Sequence, residues 1–259
     1  MKLPQRLSAE GIGSLLLAAA VVGSGVMGQR LAGGNVAIAL LANTGATVAV
    51  LATLIALLGP VSGAHFNPAV SLIEAVRNTL SWRDCGAYAL VQVLGCCAGA
   101  LLAHAMFDLP LLQSSVHVRT GLSQWLAEAV ATFGLLLVVL GHRRPQDAPW
   151  MVAAWIGGAY WFTASTSFAD PAITIARSLS DTFSGIRPVD VLGFIVAQLV
   201  GTFLALLVAP TLFSASHLKA VPPPAAEAPA GAEKARPPVS GTYALPATPH
   251  KAQSSSIRG

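Results

Sequence analysis

Two short segments of this sequence hold its chemistry, Asn67-Pro68-Ala69 and Asp170-Pro171-Ala172. Asn and Asp are good helix N-caps, and Pro is the favoured first helical residue. Small residues that tolerate an irregular descent precede each segment: Ser62-Gly63-Ala64 before the first, Ser165-Thr166-Ser167 before the second. The helix that each segment starts has little room, ending near Arg77 and near Leu179. About ten residues at 1.5 Å each span roughly 15 Å, half of a hydrocarbon core of about 30 Å. The runs Phe66–Ile73 and Phe168–Ile175 are too apolar for surface loops. Irregular backbone at membrane depth is tolerated where it lines a wet cavity or is buried in protein. Two such broken segments in matching positions point to a binding or permeation site.

The rest of the chain must position these segments. Of 259 residues, 54% are hydrophobic and only 10% charged, with a mean hydropathy of +0.66. A soluble domain carries about a quarter charged residues, so a soluble enzyme is excluded. Three cysteines exclude a disulfide framework, and no Cys/His cluster points to a metal or to any cofactor. Ten Lys/Arg and nine Asp/Glu fall in residues 1–213, a net of +1, whereas residues 214–259 hold five and two, a net of +3. The basic charge therefore resides in the tail, the apolar part has no basic face, and nucleic acid is excluded as a partner.

Charge-free stretches define six spans, at about 8–28, 36–58, 85–106, 122–141, 149–167 and 190–212. The first is too long for a cleaved signal peptide and contains Glu10. An even number of spans puts both ends on one side. Six Lys/Arg (Lys2, Arg6, Arg77, Arg83, Arg143, Arg144) face four (Arg30, Arg119, Arg177, Arg187), which assigns both termini to the cytoplasm. Residues 214–259, rich in Pro and Ala, read as a disordered cytoplasmic tail.

The apolar part is also a repeat. Ala9-Glu10-Gly11 is echoed by Ala127-Glu128-Ala129, and Gln92-Val93-Leu94-Gly95 by Gln198-Leu199-Val200-Gly201. With the two Pro-Ala segments between them, three landmarks recur in order, in halves of about 7–107 and 120–213. Each half has three spans, and an odd number inverts the second half relative to the first. The two half-helices then enter from opposite faces, and their N-termini at Asn67 and Asp170 meet near the midplane. Each end carries about half a positive charge. A cavity between them repels cations and suits passive flow of small neutral molecules.

Ser62-Gly63-Ala64-His65-Phe66-Asn67-Pro68-Ala69-Val70 closely resembles the first Asn-Pro-Ala segment of the aquaporin, or major intrinsic protein, family. The similarity extends over about residues 7–213, with both glutamate landmarks and the Gln-x-x-Gly pattern. The resemblance implies an all-α membrane protein of six transmembrane helices and two re-entrant half-helices, assembled as a homotetramer in the cell (inner) membrane. It implies one pore per subunit for water, glycerol or other small uncharged solutes, without a cofactor or catalysis. It also implies that Glu10 and Glu128 hold exposed backbone of the re-entrant loops, with proton relay as the alternative for intramembrane carboxylates. Gln92 and Gln198 would act between helices.

The sequence departs from the family pattern twice. Asp170 stands where the family has a second asparagine, which caps its helix and also donates an amide N–H to the passing solute. Asp170 can cap, but an ionised carboxylate cannot donate. One reading is a simple cap in a similar pore; the other is altered selectivity with a leak of protons or cations. The second departure is Ile173, at the position of the family's filter arginine. Counting from the motifs as in the family places the other filter positions at Thr47, Gly158 and Ser167. None of the four is large and charged, so a wide, rather apolar constriction is expected. The pattern is similar to bacterial aquaglyceroporin-like channels linked to metalloid handling, and neutral arsenite would fit such a hole. Arg177, one turn beyond Ile173, has three readings: a guard of the outer vestibule, a cation at the half-helix C-terminus, or a partner of Asp181.

Two rival classes stand beside the channel. A coupled secondary transporter also uses inverted repeats and broken helices, but would carry more ionisable groups near the midplane than Asp170 alone. A non-conducting relative is suggested only by the altered second motif.

Overall fold

The computed structural model describes residues 1–213; the tail expectation for 214–259 lies outside the described residues. Eight α-helices and one short 3-10 turn at Pro145–Asp147 make up the described part. They are α1 (Leu3–Leu31), α2 (Val36–Ser62), α3 (Pro68–Val76), α4 (Trp82–Met106), α5 (Leu122–Gly141), α6 (Ala148–Phe162), α7 (Pro171–Ser178) and α8 (Pro188–Leu212). Helix boundaries follow the capping chemistry. Asn35 starts α2 by accepting from the Ala37 and Ile38 amides, and Ser81 starts α4 by accepting from Asp84. Gly63, with φ at 96°, ends α2 in the left-handed region that favours glycine.

Five of the long helices are long and apolar enough to cross a membrane: α1, α2, α4, α5 and α8. The sixth span differs from expectation. Helix α6 has 15 residues and stops at Phe162, about 22 Å of rise. The run counted as helix to residue 167 instead turns left-handed at Thr166 and Ser167. An uncharged stretch measures how far the chain stays in an apolar setting, and re-entrant backbone satisfies that criterion as well as helix does.

Packing pairs the helices of the two halves in the same way. Helix α1 packs on α2 and α4, while α5 packs on α6 and α8. The short helices cross over, α3 reaching α5 and α8, and α7 reaching α4 and α1. Close approach uses glycine at equivalent places. A Cβ on Gly95 would collide with the Gly11 carbonyl, and one on Gly201 with the Ala129 carbonyl, as expected where small residues let membrane helices touch. Large apolar side chains such as Leu57, Leu90, Leu122 and Leu192 point outward. Glu10, Gln92, Glu128 and Gln198 are fully buried. This outside-apolar, inside-polar arrangement is that of a protein whose solvent is lipid.

Candidate pore and its supports

The tips of α3 and α7 meet. Asn67 Oδ1 accepts from the Ala69 amide (2.8 Å), and Asn67 Nδ2 donates across to the Ala169 carbonyl (2.7 Å). Asp170 Oδ1 accepts from the amides of Ala172 (2.8 Å) and Ile173 (3.3 Å). Pro68 and Pro171 occupy the first helical turn, where no backbone N–H is required, and Ala69 and Ala172 are buried against the opposite tip's surroundings. The approach to each tip is strained alike. Ala64 and Phe66 have φ of 51° and 50°, and Ser167 and Ala169 both have 50°. Such left-handed non-glycine backbone persists only where its surroundings fix it.

Two carboxylates do the fixing. Glu10 accepts from Ser62 Oγ (2.6 Å), the amides of His65 (3.0 Å) and Phe66 (2.7 Å), and Gln92 Nε2 (2.8 Å). Glu128 accepts from the amides of Phe168 and Ala169 (both 2.8 Å) and from Gln198 Nε2 (2.7 Å). Each glutamine then reaches the short helix, Gln92 to Ser71 Oγ (3.0 Å) and Gln198 to Thr174 Oγ1 (2.9 Å). The partners of both carboxylates are the re-entrant backbone amides and the linking glutamine, with the Ser62 hydroxyl added at Glu10, which is the pattern expected of a strap.

Three of the four expected filter positions are buried. Thr47 and Ser167 are 2% exposed and Ile173 5%. The Ser167 hydroxyl has no hydrogen-bond partner. Gly158 is the exception. It is exposed, with open space where its side chain would be, and at 100° per residue it shares a helix face with exposed Ala154 and Trp161. Tyr160, two residues on, is buried. It is 4% exposed, and its hydroxyl donates to Thr47 Oγ1 at a long 3.4 Å. Tyr160 lies four residues beyond buried Ile156, on the same helix face.

Arg177 is 2% exposed and stacks on the Phe168 ring, 3.3 Å from its centroid. Its Nε donates to the Ser184 carbonyl. It does not pair with Asp181, whose Oδ1 accepts from the Val116 amide (3.0 Å). The terminal nitrogens of Arg177 have no hydrogen-bond partner, yet they are not among the sealed polar atoms.

Arg119 is a residue that sequence reasoning counted only as a loop charge. From the 107–121 connection its Nε donates to the Gly185 carbonyl (2.7 Å) and its Nη1 to the Ser165 carbonyl (3.1 Å). It also lies 5.1 Å from the Phe168 centroid. Burial pulls its pKa below the ordinary arginine value. No local spacing signals these contacts, which join residues 46 and 66 positions apart. Among the described residues no His/Cys/Asp/Glu group could hold a metal ion, and the three cysteines are free.

Broken helices meeting tip to tip, each strapped by a buried glutamate inside an inverted bundle, define a membrane channel of the aquaporin architecture. Comparison with known proteins gives the family. A family model described as the major intrinsic protein matches residues 1–159. Aquaglyceroporin AqpS of Rhizobium meliloti (strain 1021) is 56% identical over 206 residues, 79% of this chain and 88% of that protein. Aquaporin NIP6-1 of Arabidopsis thaliana is 33% identical over 143 residues, 54% of this chain and 45% of that protein. The X-ray structure of the aquaglyceroporin from Plasmodium falciparum matches with a TM-score of 0.64 at 18% identity, covering 82% of this chain and 97% of that one. The chain belongs to the major intrinsic protein family, and it is a multi-pass membrane channel, not an enzyme.

Proposed function

We propose that the pore passes glycerol-sized polyols and water by facilitated diffusion, with both termini cytoplasmic and the functional unit a homotetramer in the inner membrane. The midplane is formed by Asn67-Pro68-Ala69 and Asp170-Pro171-Ala172, and the constriction by Thr47, Tyr160, Ser167 and Ile173. The observation that carries this reading is Ile173. At the position where the family's water-selective filter holds an arginine, this chain has an uncharged side chain in a cluster with Tyr160. An apolar wall with a few polar contacts suits the carbon backbone and hydroxyl edge of a polyol. Neutral metalloid hydroxides such as As(OH)3 present the same hydroxyl edge and belong to the same solute class. The name aquaglyceroporin, borne by the 56% identical relative, supports glycerol as a solute.

The test is stopped-flow permeability of proteoliposomes to water, glycerol, urea and arsenite. Linear, protonophore-insensitive glycerol flux well above empty liposomes is expected. Saturable flux abolished by a protonophore would replace the channel with a coupled transporter. Swelling equal to empty liposomes for every solute would make the chain a non-conducting relative.

A further inference from the structure

We propose that Arg119 is a specificity-determining residue of the outer pore mouth, restoring from a connecting loop the cationic donor that position 173 lacks. The inference rests on the polyol-channel reading above. Of the five N–H groups of a guanidinium, Arg119 uses one on Nε for the Gly185 carbonyl and one on Nη1 for the Ser165 carbonyl. Three have no acceptor among the described residues. The side chain is only half-buried, so it is not sealed from solvent. Its backbone is anchored as well, the Arg119 amide donating to Asp190 Oδ2 (2.8 Å), whose carboxylate is held in turn by Arg187. The guanidinium is thus fixed at two points before any solute arrives.

Its surroundings are those of the constriction. Ser165, whose carbonyl it grips, is two residues from Ser167, and the Ser165 hydroxyl accepts from the Ser167 amide (3.2 Å). Arg119 and Arg177 share one aromatic ring, Phe168. The carboxylate that bears on both is Glu128, which is strapped to backbone. Neither arginine has a salt-bridge partner among the described residues. Two cations without a salt-bridge partner among the described residues therefore share one aromatic ring two residues before Asp170. Such charge raises the barrier to inorganic cations before they reach Asp170, and it leaves neutral solutes free to pass. The open N–H groups of Arg119 offer hydrogen bonds to polyol hydroxyls in exchange for water.

The experiment uses the full chain in proteoliposomes, with glycerol and water permeability and K⁺ and H⁺ flux measured together. Arg119→Gln, which keeps donors and removes charge, should raise cation flux about tenfold while water flux changes little. A tenfold rise corresponds to a barrier lowered by roughly 1.4 kcal/mol. Arg119→Lys should keep cation flux near wild type although it loses the fixed fork. Should Arg119→Gln not assemble, Arg119→Cys treated with a cationic or an anionic methanethiosulfonate supplies the charge separately, with the wild type and its native cysteines as control. Restored exclusion by the cationic reagent only is the supporting result. Wild-type cation flux in a correctly assembled Arg119→Gln overturns the proposal. So does leakiness in Arg119→Lys equal to that of Arg119→Gln, or equal effects of the two reagents, because the residue would then only brace the loop. Failure of the polyol reading shows separately, as absent glycerol flux in the wild type.

Discussion

The two re-entrant segments share one skeleton and differ in what they present to the lumen. In each, a buried glutamate holds strained backbone amides and a glutamine links it to a hydroxyl on the short helix. An aromatic pair also recurs, His65 with Tyr88 at 5.3 Å in the first half and Phe168 with Phe194 at 5.0 Å in the second. The braces on the preceding loop then diverge. Tyr88, itself held by Arg6, donates to the Ser62 carbonyl in the first half, whereas Arg119 donates to the Ser165 carbonyl in the second. Asn67 faces Asp170, and apolar Val70 is matched by Ile173. The glutamate and glutamine that hold the re-entrant amides are repeated, whereas the loop brace and the cap residue are not. This separates the fold's requirements from those of selectivity.

The largest effect expected from breaking this comparison is at the straps. Glu10→Ala leaves the His65 and Phe66 amides, the Ser62 hydroxyl and the Gln92 amide without their acceptor, and Glu128→Ala strands one donor fewer. Each stranded buried group costs about 1–3 kcal/mol. Both variants should lose assembled channel, with Glu10→Ala the more severe. Thermal aggregation midpoints in detergent check this, and equal or reversed midpoints would show that the carboxylates are not the dominant straps.

Ile173→Arg comes next, because it breaks the apolar match with Val70. The long cation would narrow the mouth next to Arg177 and Arg119. Glycerol permeability should fall about tenfold, a barrier raised by roughly 1.4 kcal/mol, while water permeability falls much less. Stopped-flow traces for the two solutes on one preparation decide it, and a parallel fall in both would place residue 173 outside the constriction.

A smaller effect distinguishes Tyr160 from Gly158. Tyr160→Leu removes the hydroxyl that reaches Thr47 and should shift the glycerol-to-water ratio by a few-fold, on the scale of one lost hydrogen bond, about 1 kcal/mol. Gly158→Ala adds a methyl to open space and should leave that ratio unchanged. The reverse pattern of ratios would restore Gly158 to the constriction.

Most of the architecture was legible in the sequence for a physical reason. Lipid forbids unpaired charge, so the charge-free runs drew the spans, and the Asx-Pro-Ala caps drew the half-helices to within a residue or two of Pro68–Val76 and Pro171–Ser178. The end of α6 was not legible, because re-entrant backbone is as apolar as helix. Motif counting fixed only the sequence distance of Gly158 from Asp170, whereas the burial of its neighbour Tyr160 is set by helix phase and shows only in the fold. Arg119 was invisible because its role is set by carbonyls of Ser165 and Gly185 that only the folded chain brings near.

The smallest and most diagnostic change is Asp170→Asn, which makes the two tips chemically alike. Asn and Asp cap helices about equally well, so the bonds from the Ala172 and Ile173 amides should survive. What the amide adds is a donor. The inverted repeat says where it should go. Asn67 Nδ2 donates to the carbonyl of Ala169, the residue before the opposite cap, so an amide at position 170 should donate to the Phe66 carbonyl. One new buried hydrogen bond raises stability by about 1 kcal/mol, read as a small upward shift of the melting midpoint. The same substitution removes any negative charge that offsets the positive helix ends, so H⁺ and K⁺ flux should fall while glycerol flux holds. If stability rises and cation flux does not change, Asp170 is only a cap and the charge barrier lies outward of it, at the arginine pair. If neither changes, the pseudo-symmetric bond does not form, and the second tip has diverged in geometry as well as in charge.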